Sequence, residues 1–114
     1  MKNMVETLVN LIAGRHDTVF NGQVITEAVW NEPLTGAEMH DHESLEYHAG
    51  DWLVNLSLGP TQQLGLFVTG LTACTVAFLK AYDTLAPDFG LSLLFYDRDN
   101  EGYSERVWSY GRER

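Results

Sequence analysis

The sequence predicts an α+β fold: a mixed or antiparallel sheet of about five to six strands with two helices, in the order α-β-β-β-β-α-β-β. Three observations lead there. Apolar residues alternate with period two in several short runs, they recur at helical spacing in two others, and Gly-, Asn- or Pro-containing turns separate the runs. No linker or composition shift divides the chain, so residues 1–114 are expected to form a single α+β domain. With 114 residues, 45% of them hydrophobic, the chain is long enough to bury one core without disulfides or a structural metal.

At the N-terminus, Asn3 and Glu6 have the spacing of a capping box, and Met4, Leu8, Leu11 and Ile12 then share a helical face. A first helix is therefore expected over residues 4–13, with Gly14 past its end and Arg15 at the negative pole of its dipole. Asn21-Gly22, between Thr18-Val19-Phe20 and Gln23-Val24-Ile25, is a two-residue hairpin signal, because both central residues must reach positive φ. The second arm continues to Trp30, although Ile25–Trp30 also reads as a short helix. Pro33 and Gly36 mark a break, and residues 36–50 show neither period.

Trp52, Val54, Leu56 and Leu58 then alternate with Leu53, Asn55 and Ser57, the pattern of a half-buried strand. Gly59-Pro60-Thr61-Gln62 is a turn, and Leu64, Leu66 and Val68 form the next strand. The period changes at Leu71: Cys74, Phe78, Tyr82 and Leu85 lie with it on one helix face, and Pro87 stands just beyond. Leu91, Leu93 and Phe95 alternate again. After Asp99-Asn100-Glu101-Gly102, a last strand from Tyr103 to Tyr110 puts Tyr103, Glu105 and Val107 on one face and Arg106, Trp108 and Tyr110 on the other. The strand–helix–strand passage through residues 64–96 is expected to place two strands parallel, with a right-handed crossover.

Charge is distributed unevenly. The chain has 16 acids against seven Lys and Arg, for a formal net charge of −9. From His16 to Leu79 there is no Lys or Arg, but there are eight acids: Asp17, Glu27, Glu32, Glu38, Asp41, Glu43, Glu46 and Asp51. All four histidines, His16, His40, His42 and His48, lie in the same stretch. A concentration of one sign raises self-repulsion and produces a field that steers an oppositely charged partner. The same charge argues against nucleic-acid binding. No apolar run approaches the roughly 18 residues of a membrane span, and the first residues do not resemble a signal peptide. One cysteine, Cys74, excludes an intramolecular disulfide. A cytoplasmic protein is the expectation.

Three segments contain residue types that can carry chemistry. Imidazole and carboxylate are metal donors, which makes His40 and His42, with Glu46 nearby, metal candidates. The spacing His40-x-His42-x3-Glu46 resembles part of the first cupin metal motif. Gly36, however, stands too close to His40, and no His follows His48 to supply the second motif, so the chain is not assigned to that family. Thr69-Gly70-Leu71-Thr72, leaving a strand and entering a helix with Thr75 one turn on, offers backbone N–H groups, a positive dipole end and hydroxyls to a phosphate. Its layout is loosely similar to nucleotide-sensing loops of Rossmann-like domains. The bland alternative is that Thr69 or Thr72 caps the helix and Gly70 allows the tight turn. Asp97-Arg98-Asp99-Asn100-Glu101-Gly102 begins like an EF-hand loop, but Trp108 stands where the bidentate Glu belongs, so it reads as a hairpin turn. Cys74 falls on an apolar helix face, where a thiol is inert.

The leading expectation is a small acidic, non-enzymatic interaction protein. It would bind and inhibit or regulate a basic macromolecule, as immunity proteins, phage-encoded inhibitors and nucleic-acid mimics of similar size do. Glu38, Asp41, Glu43, Glu46 and Asp51 would supply the field, and Tyr47 or Trp52 the anchor. The alternative is a small phosphate- or nucleotide-binding domain or enzyme using Thr69, Gly70, Thr72 and Thr75. The leading expectation includes no cofactor, no membrane partner and no direct nucleic-acid partner. The edge strand Tyr103–Tyr110 is a candidate for homodimer pairing.

Overall fold

The computed structural model describes residues 5–13, 18–68 and 71–111. The α+β class holds, and the sheet is mixed. Seven strands and three helices are found among the described residues: β1 (Val5–Ile12), β2 (Thr18–Phe20), β3 (Gln23–Ile25), β4 (Ala28–Trp30), α1 (Gly36–His40), α2 (His42–Val54), β5 (Gln63–Phe67), α3 (Thr72–Leu85), β6 (Gly90–Asp97) and β7 (Gly102–Ser109). Five strands form the main sheet in the order β4-β1-β5-β6-β7, and β2 and β3 form a separate hairpin. The four strands from β4 to β6 run parallel, and β7 returns antiparallel.

The first correction concerns β1, expected as a helix. It is the strand between β4 and β5, with Val9 and Leu11 buried among the helix-side core residues and Leu8 packed in the cluster on the opposite face. A strand covered on both faces reads as a nearly continuous apolar run, which mimics a helix period. Asn3, Gly14 and Arg15, the expected helix signals, lie outside the described residues. The second correction concerns Trp52–Leu58: residues up to Val54 belong to α2, whose buried side is Leu45, Ala49 and Leu53 at i, i+4 and i+8. Leu53 is buried and Val54 exposed, the reverse of the strand expectation. The acidic segment without a clear period is α1 and the start of α2. The arm Val24–Trp30 is divided, since β3 stays in the hairpin and β4 joins the main sheet beside β1.

Other expectations hold. Asn21 and Gly22 both have positive φ, 53° and 80°, as the hairpin turn requires. β5, α3 and β6 form the parallel strand–helix–strand unit, with Cys74, Phe78 and Tyr82 on the buried side of α3. The loop that begins like an EF-hand is the β6–β7 turn, closed by Asp97, which accepts from the Asp99 amide at 3.1 Å and the Asn100 side chain at 2.6 Å.

The principal core lies between the sheet and α2 with α3, where Leu64, Leu66, Leu91 and Leu93 meet Leu45, Ala49, Leu53, Cys74 and Phe78. On the other face, Ile25, Phe67 and Leu94 form a smaller cluster with Leu8, Phe20 and Tyr103. This division follows from the strand order. From β1 the chain steps outward to β4 and then back past β1 to β5, and right-handed crossovers in opposite directions require connections on opposite faces. The hairpin takes one face and α1–α2 the other. Asn10, only 6% exposed, fastens the hairpin: its Nδ2 donates to the Ile25 carbonyl at 3.0 Å, and its Oδ1 accepts the Thr18 hydroxyl at 2.6 Å.

Candidate functional site

Strand order decides where the charges go. β4 is one edge of the sheet and β7 the other. The described acids of the cation-free stretch fall on the β3–β4 link (Glu27), the loop after β4 (Glu32), and α1 and α2 with their caps. Arg98 and Arg106 lie on the β6–β7 turn and on β7, at the far edge.

α1 starts with a complete capping box: Thr35 Oγ1 accepts the Glu38 amide at 3.2 Å, and Glu38 Oε1 accepts the Thr35 amide at 2.8 Å. Asp41 ends α1 and caps α2, its carboxylate accepting the Ser44 amide at 3.1 Å. Both carboxylates are thus held at helix N-termini, where the dipole favours negative charge. Glu43, Tyr47 and Asp51, spaced by four, form the outer ridge of α2, and all three are exposed. Tyr47 is 77% exposed. Glu46 turns toward α3, where it lies 3.7 Å from the Lys80 ammonium, the salt bridge found among the described residues. Trp52 is half-buried against Phe78, with ring centroids 6.3 Å apart, so Tyr47 is the ring of this segment that faces solvent.

Concavities lie on both sides of that ridge. A cleft of about 350 Å³ beyond the carboxyl end of β4 is lined by Trp30, Glu32, Glu38, Ser44 and His48 among others. A shallower groove of about 500 Å³ between α2 and α3 is lined by Glu43, Glu46, Tyr47, Gly50, Ala81 and Leu85 among others. Each combines two carboxylates with apolar surface, which suits a cationic side chain with an aliphatic stem.

His16 lies outside the described residues, and the three described histidines do not converge. His48 stacks on Trp30 at 5.0 Å, and its Nε2 lies 2.6 Å from the Val29 carbonyl, which a protonated Nε2 satisfies by donating. Sequence reasoning missed this pairing because it depends on the β4–α2 contact. His40 closes α1 and His42 opens α2, both exposed. Among the described residues, no group of three or more His, Cys, Asp or Glu side chains is placed to hold a metal ion.

Of the phosphate candidates, Thr69 and Gly70 lie outside the described residues. Leu71, not Thr72, is the N-cap of α3 and provides no side-chain cap, while Thr72 is exposed at the first helical position. Thr75 Oγ1 donates back to the Leu71 carbonyl at 3.3 Å. Cys74 is fully buried, and that burial pushes its thiol above the usual range, so it is no nucleophile at neutral pH. No described helix is long and apolar enough to cross a membrane. No protein family, curated protein or solved structure matches this chain.

Proposed function

We propose that the protein is an interaction module whose α1–α2 side docks onto a basic surface of another macromolecule and thereby blocks or regulates it. The supporting observation is the exposed ridge Glu43–Tyr47–Asp51, flanked by two carboxylate-lined concavities. An exposed aromatic ringed by carboxylates has the composition of an anchor with a steering rim. The basic partner belongs to the proposal, as does a regulatory rather than catalytic role.

A labelled arginine-rich peptide tests this reading. Its association rate with the full chain should fall steeply between about 0.01 M and about 1 M salt, as the Debye length shrinks from roughly 30 Å to roughly 3 Å. Neutralising the ridge with Glu43→Gln and Asp51→Asn, or removing the ring with Tyr47→Ala, should weaken binding. An association rate indifferent to salt, or affinity unchanged in all these variants, refutes the proposal.

A second reading, phosphate or nucleotide binding, is favoured by topology. β1 and β5 are parallel neighbours whose onward connections leave on opposite faces of the sheet, and α3 starts just beyond β5 without a side-chain cap. Open parallel sheets bind ligands outside the carboxyl ends of strands at such a switch point. A thermal-shift screen with nucleotides and inorganic phosphate separates the readings, since stabilisation by these ligands belongs to the second alone.

A further inference from the structure

The two edges of the main sheet are treated differently. β4 has only three residues, and its Val29 carbonyl is taken up by His48. β7 has eight residues, no Pro and no Lys, and among the described residues no strand pairs with its outer side. Short or covered edges block strand addition, whereas a long open edge is a template for it. The β7 side chains leave that template accessible. The Glu105 carboxylate reaches back over the sheet to accept the Ser92 hydroxyl, and Trp108 Nε1 donates to Asp83 of α3 at 3.0 Å. From these observations we infer that β7 pairs antiparallel with β7 of a second copy of this chain. The result is one ten-stranded sheet with the acidic α1–α2 sides at its two far ends.

The charges select the register. A two-fold axis normal to the sheet must pass midway between a residue and its own counterpart on the facing strand. Centring it on Glu105 opposes two carboxylates directly, and centring it on Arg106 opposes two guanidiniums, both destabilising. Centring it on Val107 carries the pairing into the irregularity at Trp108, where β6 steps from Ser92↔Val107 to Leu91↔Ser109. Centring it on Tyr103 sets Glu101 against Glu105 of the other copy. Ser104 avoids all of these: Ser104 meets Ser104, Tyr103 meets Glu105, and Gly102 meets Arg106 across the axis. The second copy is therefore a charge-compatible occupant, and the short ribbon implies a reversible dimer.

Sedimentation equilibrium of the full chain from about 1 µM to about 1 mM reads the assembly directly. The wild type should dimerise within that range. Ser104→Lys, which places like charges across the axis at an exposed position, should stay monomeric with an unchanged circular-dichroism spectrum, and Ser104→Val should still dimerise. Amides of residues 102–106 should gain hydrogen-exchange protection as concentration rises. A wild type monomeric throughout overturns the inference, as does a dimer that Ser104→Lys leaves intact. Protection of β7 that appears only with an added foreign peptide also overturns it, in favour of strand donation by another protein.

Discussion

Asn10→Ala gives the sharpest test of how the hairpin crossover is held. Asn10 is buried within β1, and truncation removes both of its side-chain hydrogen bonds: the Ile25 carbonyl, which also faces Thr18 in the hairpin ladder, loses one donor, and the Thr18 hydroxyl loses its acceptor. The lost bond to Ile25 costs about 0.5–1.5 kcal/mol and the buried hydroxyl left unsatisfied about 1–3 kcal/mol, together about 2–4 kcal/mol. An unfolding entropy of about 2.1 cal/mol/K per residue gives about 0.24 kcal/mol/K for this chain, so Tm should fall by about 8–17 °C. Calorimetry of Asn10→Ala, Thr18→Ala and the double variant completes a thermodynamic cycle. The two substitutions should be coupled by at least about 0.5 kcal/mol, because the double variant has already lost the shared bond. A Tm drop below about 3 °C, or strict additivity, would show that packing of Phe20 and Ile25 alone holds the hairpin in place.

The other stability predictions follow from local surroundings. In α2, Leu53→Ala should cost about 2–5 kcal/mol and Val54→Ala less than about 0.5 kcal/mol by denaturant titration, the opposite of what a strand over Trp52–Leu58 requires. Gly50→Ala should stabilise by about 0.5–1 kcal/mol, since an added Cβ meets nothing within 4 Å in mid-helix. Gly111→Ala should lower Tm, because its Cβ would overlap the Pro60 carbonyl oxygen. Burial raises the Cys74 pKa, so the folded state keeps its proton where the unfolded thiol ionises, and stability should fall as pH rises above about 8.5. Cys74→Ala should remove that component, as read from melting curves in alkaline buffers, and the wild-type thiol should react with a thiol reagent only on unfolding.

Much of the chain beyond Pro60 was legible because each local signal agrees with its tertiary environment. β5, though buried on both faces, is a short run with Leu64 and Leu66 two apart and turn residues just before it, α3 has a buried stripe with Pro87 just beyond its end, and the β6–β7 turn carries its own Asp and Gly chemistry. The first sixty residues were harder for two distinct reasons. β1 is buried on both faces, so Leu8, Leu11 and Ile12 satisfy a helix template as well as a strand template, and only sheet pairing decides. α2 has Gly50 in mid-helix and a stripe reduced in the middle to Ala49, while Leu56 and Leu58 just past its end extend a false alternation from Trp52. At the candidate site, the acids were legible as composition. Which of them are caps, which one meets Lys80, and which ring faces water depend on the helix phase, which the sparse apolar residues of 36–50 do not display.

Asp51 brings stability and proposed function into conflict. It lies in the last turn of α2, which has no basic residue, at the negative pole of the helix dipole. A carboxylate there is disfavoured, and a cation is favoured by about 0.3–1 kcal/mol. Asp51→Lys should therefore raise Tm by about 1–4 °C on the entropy scale used for Asn10. In the same variant, binding of the arginine-rich peptide should weaken, because a ridge carboxylate has become a cation. That combination, a more stable fold with a poorer surface, is expected where an acid is kept for an interaction at some cost to stability. If Asp51→Lys binds the peptide as well as the wild type does, the acids of α2 are solvated side chains without a partner. If it instead lowers Tm, local contacts of Asp51 outweigh the dipole, and its place on the ridge has a structural explanation.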